Sequence, residues 1–250
     1  MSRQLGWDVI RYIGTSFLDT YQDFILEMST AKLELPHTDA FVQLSLLDGG
    51  SFVADLSRMH AGQTGTFRMY NWAFYISHQG RHVLWDLGLD QDRSYYTPHA
   101  HFDHSRPISD VFPNARAYFG PGTRAACEPG HMKDANSQWD GRFFDPEDST
   151  EDWDELQGHW KPFGSFEKAL DYFGDGSFWV LDAPGHMAGN LAAAARLQCG
   201  EWVLLGSDCT WYLGKIWCVF ANCAFSMLGC HSRYDYAIDS LSVLTCQGLA

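Results

Sequence analysis

The alternation of apolar and polar residues divides this chain into a helical opening, a strand-rich middle and an apolar run near its end. Ile10, Ile13, Phe17, Tyr21, Phe24 and Met28 recur at spacings of three and four, the period of an amphipathic helix that stops before Leu35-Pro36. Residues 1–36 therefore read as an N-terminal helical extension. Its apolar face is to be covered either by docking on the rest of the chain or by a second copy in a homodimer. Beyond it the period changes to two. Phe41-Val-Gln-Leu-Ser-Leu-Leu alternates as a strand, Asp48-Gly-Gly reads as a turn, and Ser51 to Gly65 reads as a polar loop. Phe67 to Ser77, the turn His78-Gln-Gly-Arg and His82-Val-Leu-Trp-Asp86 predict a hairpin. The alternation then lapses, because Asp90-Gln-Asp-Arg-Ser-Tyr-Tyr-Thr-Pro98 holds no apolar strand.

Further on, Ala115-Arg-Ala-Tyr-Phe predicts a short strand closed by Gly120-Pro-Gly122. Residues 131–165 are acidic, Trp-bearing and irregular, and read as a surface lobe or lid. Phe166 to Leu170 reads as a short element, and Phe178-Trp-Val-Leu and Glu201-Trp-Val-Leu-Leu as strands. Trp211 to Leu228 is apolar apart from Gly214, Lys215 and Asn222, and is long enough for a marginal membrane span. Its flanks carry no charge asymmetry, so it is not read as one.

Bulk properties narrow the classes. At 250 residues, 28.3 kDa and 46% hydrophobic content, residues 1–250 suit a single domain with an ample core. A formal charge of −14 and the absence of a Lys/Arg cluster make nucleic acid a poor partner. Seven irregularly spaced cysteines and an N-terminus without an apolar signal region predict free thiols in the cytoplasm. The 15% aromatic content suits an apolar substrate pocket and an aromatic core equally.

The candidate chemistry sits in His99-Ala-His-Phe-Asp-His104, three imidazoles and a carboxylate within six residues of a chain that has 11 His in all. In an extended run followed by a turn, His99 and His101 point to one side while Asp103 and His104 come round to a second point nearby. Imidazole and carboxylate are donors that Zn²⁺ accepts, and two ions about 3.5–4 Å apart can activate water for hydrolysis.

This motif resembles the HxHxDH signature of the metallo-β-lactamase superfamily. Asp182-Ala-Pro-Gly-His186 and Leu204-Leu-Gly-Ser-Asp208 resemble that family's later His and bridging Asp, and Asn190 to Arg196 its intervening strand. The resemblance spans roughly residues 40–208. Phe112-Pro, Phe119-Gly-Pro-Gly122 and Pro129-Gly look most like lactonase-type members, including fungal ones. It implies an αββα sandwich of two mixed sheets flanked by helices. It further implies one Zn²⁺ on His99, His101 and His186, a second on Asp103 and His104, and Asp208 bridging both. A metal-bridging hydroxide would attack the carbonyl of a small-molecule lactone, lactam or cyclic carbamate, a secondary metabolite or xenobiotic, with Asp103 holding or relaying the proton. Asp86 would either support the metal site from behind its ligands or serve as a turn aspartate. Gly185 and Gly206 would let the backbone turn beside the ligands. His78, His82, His131 and His159 read as structural or surface residues.

Two departures from the family stand out. The apolar strand that should precede the motif is absent, and no His after Asp208 matches the last ligand, since His231 comes too early. Joining Cys209 to Cys230 gives Ser-Asp-Cys-Cys-His-Ser-Arg-Tyr, which looks like the family's continuation. On this reading Thr210 to Gly229 is a translated intron and residues 210–250 are an atypical tail. The sandwich would then be incomplete and the second metal site weakened. Other readings are a thioesterase of a polyketide pathway and an inactive truncated paralogue.

Overall fold

The computed structural model describes residues 35–59, 64–89, 100, 101, 103–164, 166–210 and 225–228. The helix expected over Ile10 to Met28 lies outside the described residues, as do residues 90–99 and His231.

The first sheet has the order β1-β2-β3, formed by β1 (Gln43–Asp55), β2 (Thr66–His78) and β3 (Arg81–Trp85). The β2–β3 hairpin is the one its alternation predicts, with Gln79 and Gly80 in left-handed conformation at the turn. The Asp48-Gly-Gly segment is not a turn. It is a bulge inside β1, where the register against β2 shifts between Asp48 and Ser51. Gly50 adopts φ 97°, and a Cβ on Gly49 would lie 2.8 Å from the Asn71 carbonyl oxygen, so the bulge needs glycine at both places. Pairing resumes on the far side, and Ser51 to Asp55 belong to β1 rather than to a loop. Leu56–Met59 then forms a single helical turn, α1.

A two-stranded parallel sheet follows, formed by β4 (Ala117–Phe119) and β5 (Trp153–Glu155). Between them lie the short helices α2 (Thr123–Cys127) and α3 (Gly141–Phe144). The segment 131–165 is more than a surface lobe. Phe143, Phe144 and Trp153 pack with Cys127 in a small core of their own, and Trp153 Nε1 donates to Phe143 O at 2.5 Å.

The largest sheet has the order β11-β10-β9-β8-β7-β6. Its strands are β6 (Lys161–Phe163), β7 (Phe166–Asp171), β8 (Phe178–Asp182), β9 (Leu191–Arg196), β10 (Trp202–Leu205) and β11 (Phe225–Leu228). β6 to β10 form an antiparallel meander, and β11 pairs parallel with β10. Part of the segment expected to be an insert thus has a place at the sheet edge.

The side-chain period of two explains the packing. Phe178 and Val180 of β8 and Ala193 and Ala195 of β9 meet Phe74 and Ile76 of β2 in the core between the two large sheets. Trp179, Leu181, Ala192 and Ala194 point the other way into a second buried cluster with Phe163 and Trp202. With both faces buried, β8, β9 and β10 have no need of polar alternation and read as unbroken apolar runs. The described helices are short, and none is long and apolar enough to cross a membrane.

Candidate metal centre

Four segments converge where the core sheets end. The first follows β3: Asp86 has φ 63° and Gly88 φ 67°, and Asp86 Oδ1 accepts from Gly88 N at 2.9 Å. The second is the motif turn, tightened by His104 N and Ser105 N, which both donate to His101 O at 2.8 Å. The third is the loop after β8, and the fourth is the 3-10 turn Ser207–Thr210 after β10. Asn190 braces that loop, with its Nδ2 donating to Ala183 O at 2.9 Å.

The result is a cluster centred on Asp208. Its Oδ2 lies 3.5 Å from His101 Nδ1 and 3.4 Å from His186 Nε2, while its Oδ1 lies 3.3 Å from His104 Nε2. Asp103 Oδ2 is 3.7 Å from His104 Nε2. Donor atoms of His101, His186 and Asp208 all fall within 4.8 Å of one another, and so do those of His101, Asp103 and His104. His101, Asp103 and Asp208 are buried. The structure thus brings together His101, Asp103, His104, His186 and Asp208, five of the six expected ligands; His99 lies outside the described residues.

This donor set fits a metal. Imidazole nitrogens and carboxylate oxygens at these separations are what Zn²⁺ and similar divalent ions accept. Asp103 Oδ1 is buried and takes no hydrogen bond among the described residues, a costly arrangement that a cation relieves. The charges respond to one another as well. Burial raises the Asp103 carboxyl above its usual range and the nearby Asp208 adds to this, while His104 opposes it. Burial works against a charged His104, yet Asp86 and Asp208 outweigh it and hold that ring well above the ordinary histidine range. Burial lowers His186, against the pull of Asp208.

Asp86 supports the site from behind. Its Oδ2 meets His104 Nδ1 at 2.5 Å, which turns His104 Nε2 toward Asp208. One supporting residue escaped the sequence reading: Asn71 of β2, whose Nδ2 donates to Asp103 O at 2.9 Å. The available signal was a polar residue at an inward position, between the buried Met69 and Ala73. Gly185 has no left-handed conformation; beside Asp208 the left-handed residue is Ser207, at φ 45°. The four histidines read as structural or surface residues lie away from the cluster. His78 bridges Phe41 O and Asp175, His82 meets the Tyr75 hydroxyl, His131 accepts from Gly141 N, and His159 faces solvent.

The cluster opens into a cavity of about 980 Å³ that runs between β3 and β4. Trp85, Phe112, Tyr118, Leu156, Met187 and Leu191 contribute apolar walls. Arg116 is the single Lys or Arg among its lining residues, and it is paired to Asp152 at 3.1 Å.

Comparisons with known proteins agree with this architecture. No family model matches the chain. The metallo-hydrolase mfmC of Annulohypoxylon moriforme is 28% identical over 197 residues, covering 58% of this chain and 49% of its own. A longer Penicillium brevicompactum protein named cytochrome P450 monooxygenase mpaDE' is 26% identical over 242 residues, covering 74% of this chain and 27% of its own. The γ-lactamase MBL2 of Gibberella moniliformis is 30% identical over 134 residues, covering 51% of this chain and 53% of its own. The chain therefore spans about half, or less, of the length of these curated relatives. A solved N-acyl homoserine lactone hydrolase with its product at the catalytic metal center superposes with a TM-score of 0.50 at 15% identity, covering 68% of this chain and 76% of that one. In its sheets, in the order of its motifs and in these relatives, the chain is similar to lactonase-like members of the metallo-β-lactamase superfamily.

Proposed function

We propose that the chain is a metal-dependent hydrolase that opens a neutral cyclic ester or amide: a lactone, lactam or cyclic carbamate. The observation that carries this reading is the Asp208 carboxylate, whose two oxygens face different histidines at the floor of a largely apolar cavity. His101 and His186, with His99, would hold one divalent ion, and Asp103 and His104 the other, with Asp208 shared between them. Zn²⁺ bound there would supply Lewis acidity and a water ionisable near neutral pH.

The chain's own residues do the rest. Trp85, Phe112 and Tyr118 seat the apolar body of the substrate and exclude bulk water. Arg116, the single Lys or Arg of the described lining, is already paired with Asp152, and the remaining walls are largely apolar. That favours an uncharged ring. Asp103, buried at the centre of the cluster, would also hold or relay the proton that the reaction moves. The name γ-lactamase, borne by a relative 30% identical over its matched part, supports a cyclic amide among the substrates.

Elemental analysis of the purified protein, joined to a panel of γ-lactams, lactones, cyclic carbamates and linear thioesters, tests this. The expected result is co-purifying metal and chelator-sensitive ring opening, without thioester cleavage. Metal uptake with no turnover of any compound would identify a non-catalytic paralogue, and thioester cleavage alone would identify a thioesterase.

A further inference from the structure

We propose that Asn71 is a positioning residue of the metal centre, aiming the Asp103 carboxylate by fixing the Asp103 peptide; this rests on the metal-hydrolase reading above. Asn71 is 2% exposed and lies in the middle of β2, where the register against β1 shifts and short of the Phe74 to His78 stretch that pairs with β3. Its Nδ2 donates to Asp103 O at 2.9 Å. Two further bonds hold the next residue: Leu87 N donates to His104 O at 3.2 Å, and Asp86 grips the His104 ring. The Asp103-His104 pair is thus held at three points, one on the first sheet and two in the segment that follows it. Asp86 and Leu87 lie in the segment after β3, whereas Asn71 belongs to a strand.

The side chain itself shows what it is there to do. Asn71 Oδ1 is buried and accepts no hydrogen bond among the described residues. Burying a carboxamide with its acceptor unused costs stability, and leucine would fill a similar volume without that cost. Packing therefore does not account for Asn71, while the single bond from Nδ2 does. A ligating carboxylate must be held within about 0.5 Å of its working position, and its direction follows from the peptide that carries it. Partners behind the ligands commonly change metal affinity by about 10–100-fold when removed.

The test titrates the full-length, metal-free chain with Zn²⁺ and Co²⁺, comparing the parent with Asn71→Leu and following affinity, stoichiometry and the visible Co²⁺ spectrum. The variant is expected to keep the parent's near-UV circular dichroism. Its affinity for at least one ion should fall about 10–100-fold, with a changed Co²⁺ spectrum, which a residue that merely stabilises the fold would not alter. Parent-like affinities together with a parent-like Co²⁺ spectrum would overturn the assignment. Should Asn71→Leu fail to fold, Asn71→Ala carries the same test, since it removes the Nδ2 donor without adding bulk or charge. A parent chain that takes up neither ion would sink the metal reading itself, and that failure is distinct from loss of the Asn71 inference alone.

Discussion

Among the candidate ligands, His101 stands in both groups of close donor atoms, one with His186 and Asp208 and one with Asp103 and His104. Truncating it would remove a donor from the first ion and open the packing against the second group. His101→Ala is expected to lose bound metal and ring-opening activity together, measured by elemental analysis and turnover. A variant retaining both would show that the cluster is not the active site. Asp86→Ala acts at one remove, by releasing the His104 ring, and should weaken metal binding about 10–100-fold without abolishing it. Cysteine chemistry lies elsewhere: burial, with Glu128 beside it, pushes the Cys127 thiol up to about 12, which makes it a poor nucleophile at neutral pH. Turnover should accordingly survive thiol reagents and fail in chelator. Inactivation by a thiol reagent with the metal still in place would instead point to a cysteine hydrolase.

Among the elements, His78 joins the end of β2 to the loop between β7 and β8. Its ring lies 2.8 Å from Phe41 O and 2.6 Å from Asp175 Oδ2, and packs on Phe173. Burial alone would raise the Asp175 carboxyl, but the Ser177 and His78 hydrogen bonds outweigh it and lower its pKa. A carboxyl depressed in the folded state stabilises the protein above its unfolded pKa, and that share is lost as the pH falls from about 3.9 through the lower folded value. Asp175→Asn should thus cost on the order of 1 kcal/mol at neutral pH, discounted for its partial exposure, and flatten the loss of stability in acid. Thermal melts across that range in chelator check this; parallel parent and variant curves would remove Asp175 from the account. The elements also show what was legible beforehand. The β2–β3 hairpin, β8 and β10 announce themselves because alternation and unbroken apolar runs are properties of the segments themselves. The bulge at Gly49 and Gly50 does not, since two glycines read as a turn unless the partner strand is known. β5 and β6, three residues each, exist through their pairing with β4 and β7. The site divides in the same way. His101, Asp103, His104, His186 and Asp208 stand in recognisable motifs, whereas the role of Asn71 depends on a hydrogen bond across 32 positions of the chain.

At the scale of the whole molecule, the open question is how the chain beyond Asp208 belongs to the fold. A translated insert spanning Thr210 to Gly229 would be an apolar burden on the sheet, and its removal would improve solubility. The sheet argues the other way. Trp202 to Leu205 of β10 pair with β9 on one side and with Phe225 to Leu228 on the other, in a continuous four-residue parallel register. Deleting Thr210 to Gly229 would turn β10, buried along its whole length, into an edge strand with unpaired backbone groups beside the turn that carries Asp208. The deletion variant is therefore expected to be less soluble than the full chain and to bind metal less tightly, as read by sedimentation of the expressed protein and by zinc titration. A deletion variant that is more soluble and keeps its metal, together with transcripts joining Cys209 to Cys230, would establish the segment as an insert and leave β10 as the natural edge of the sheet.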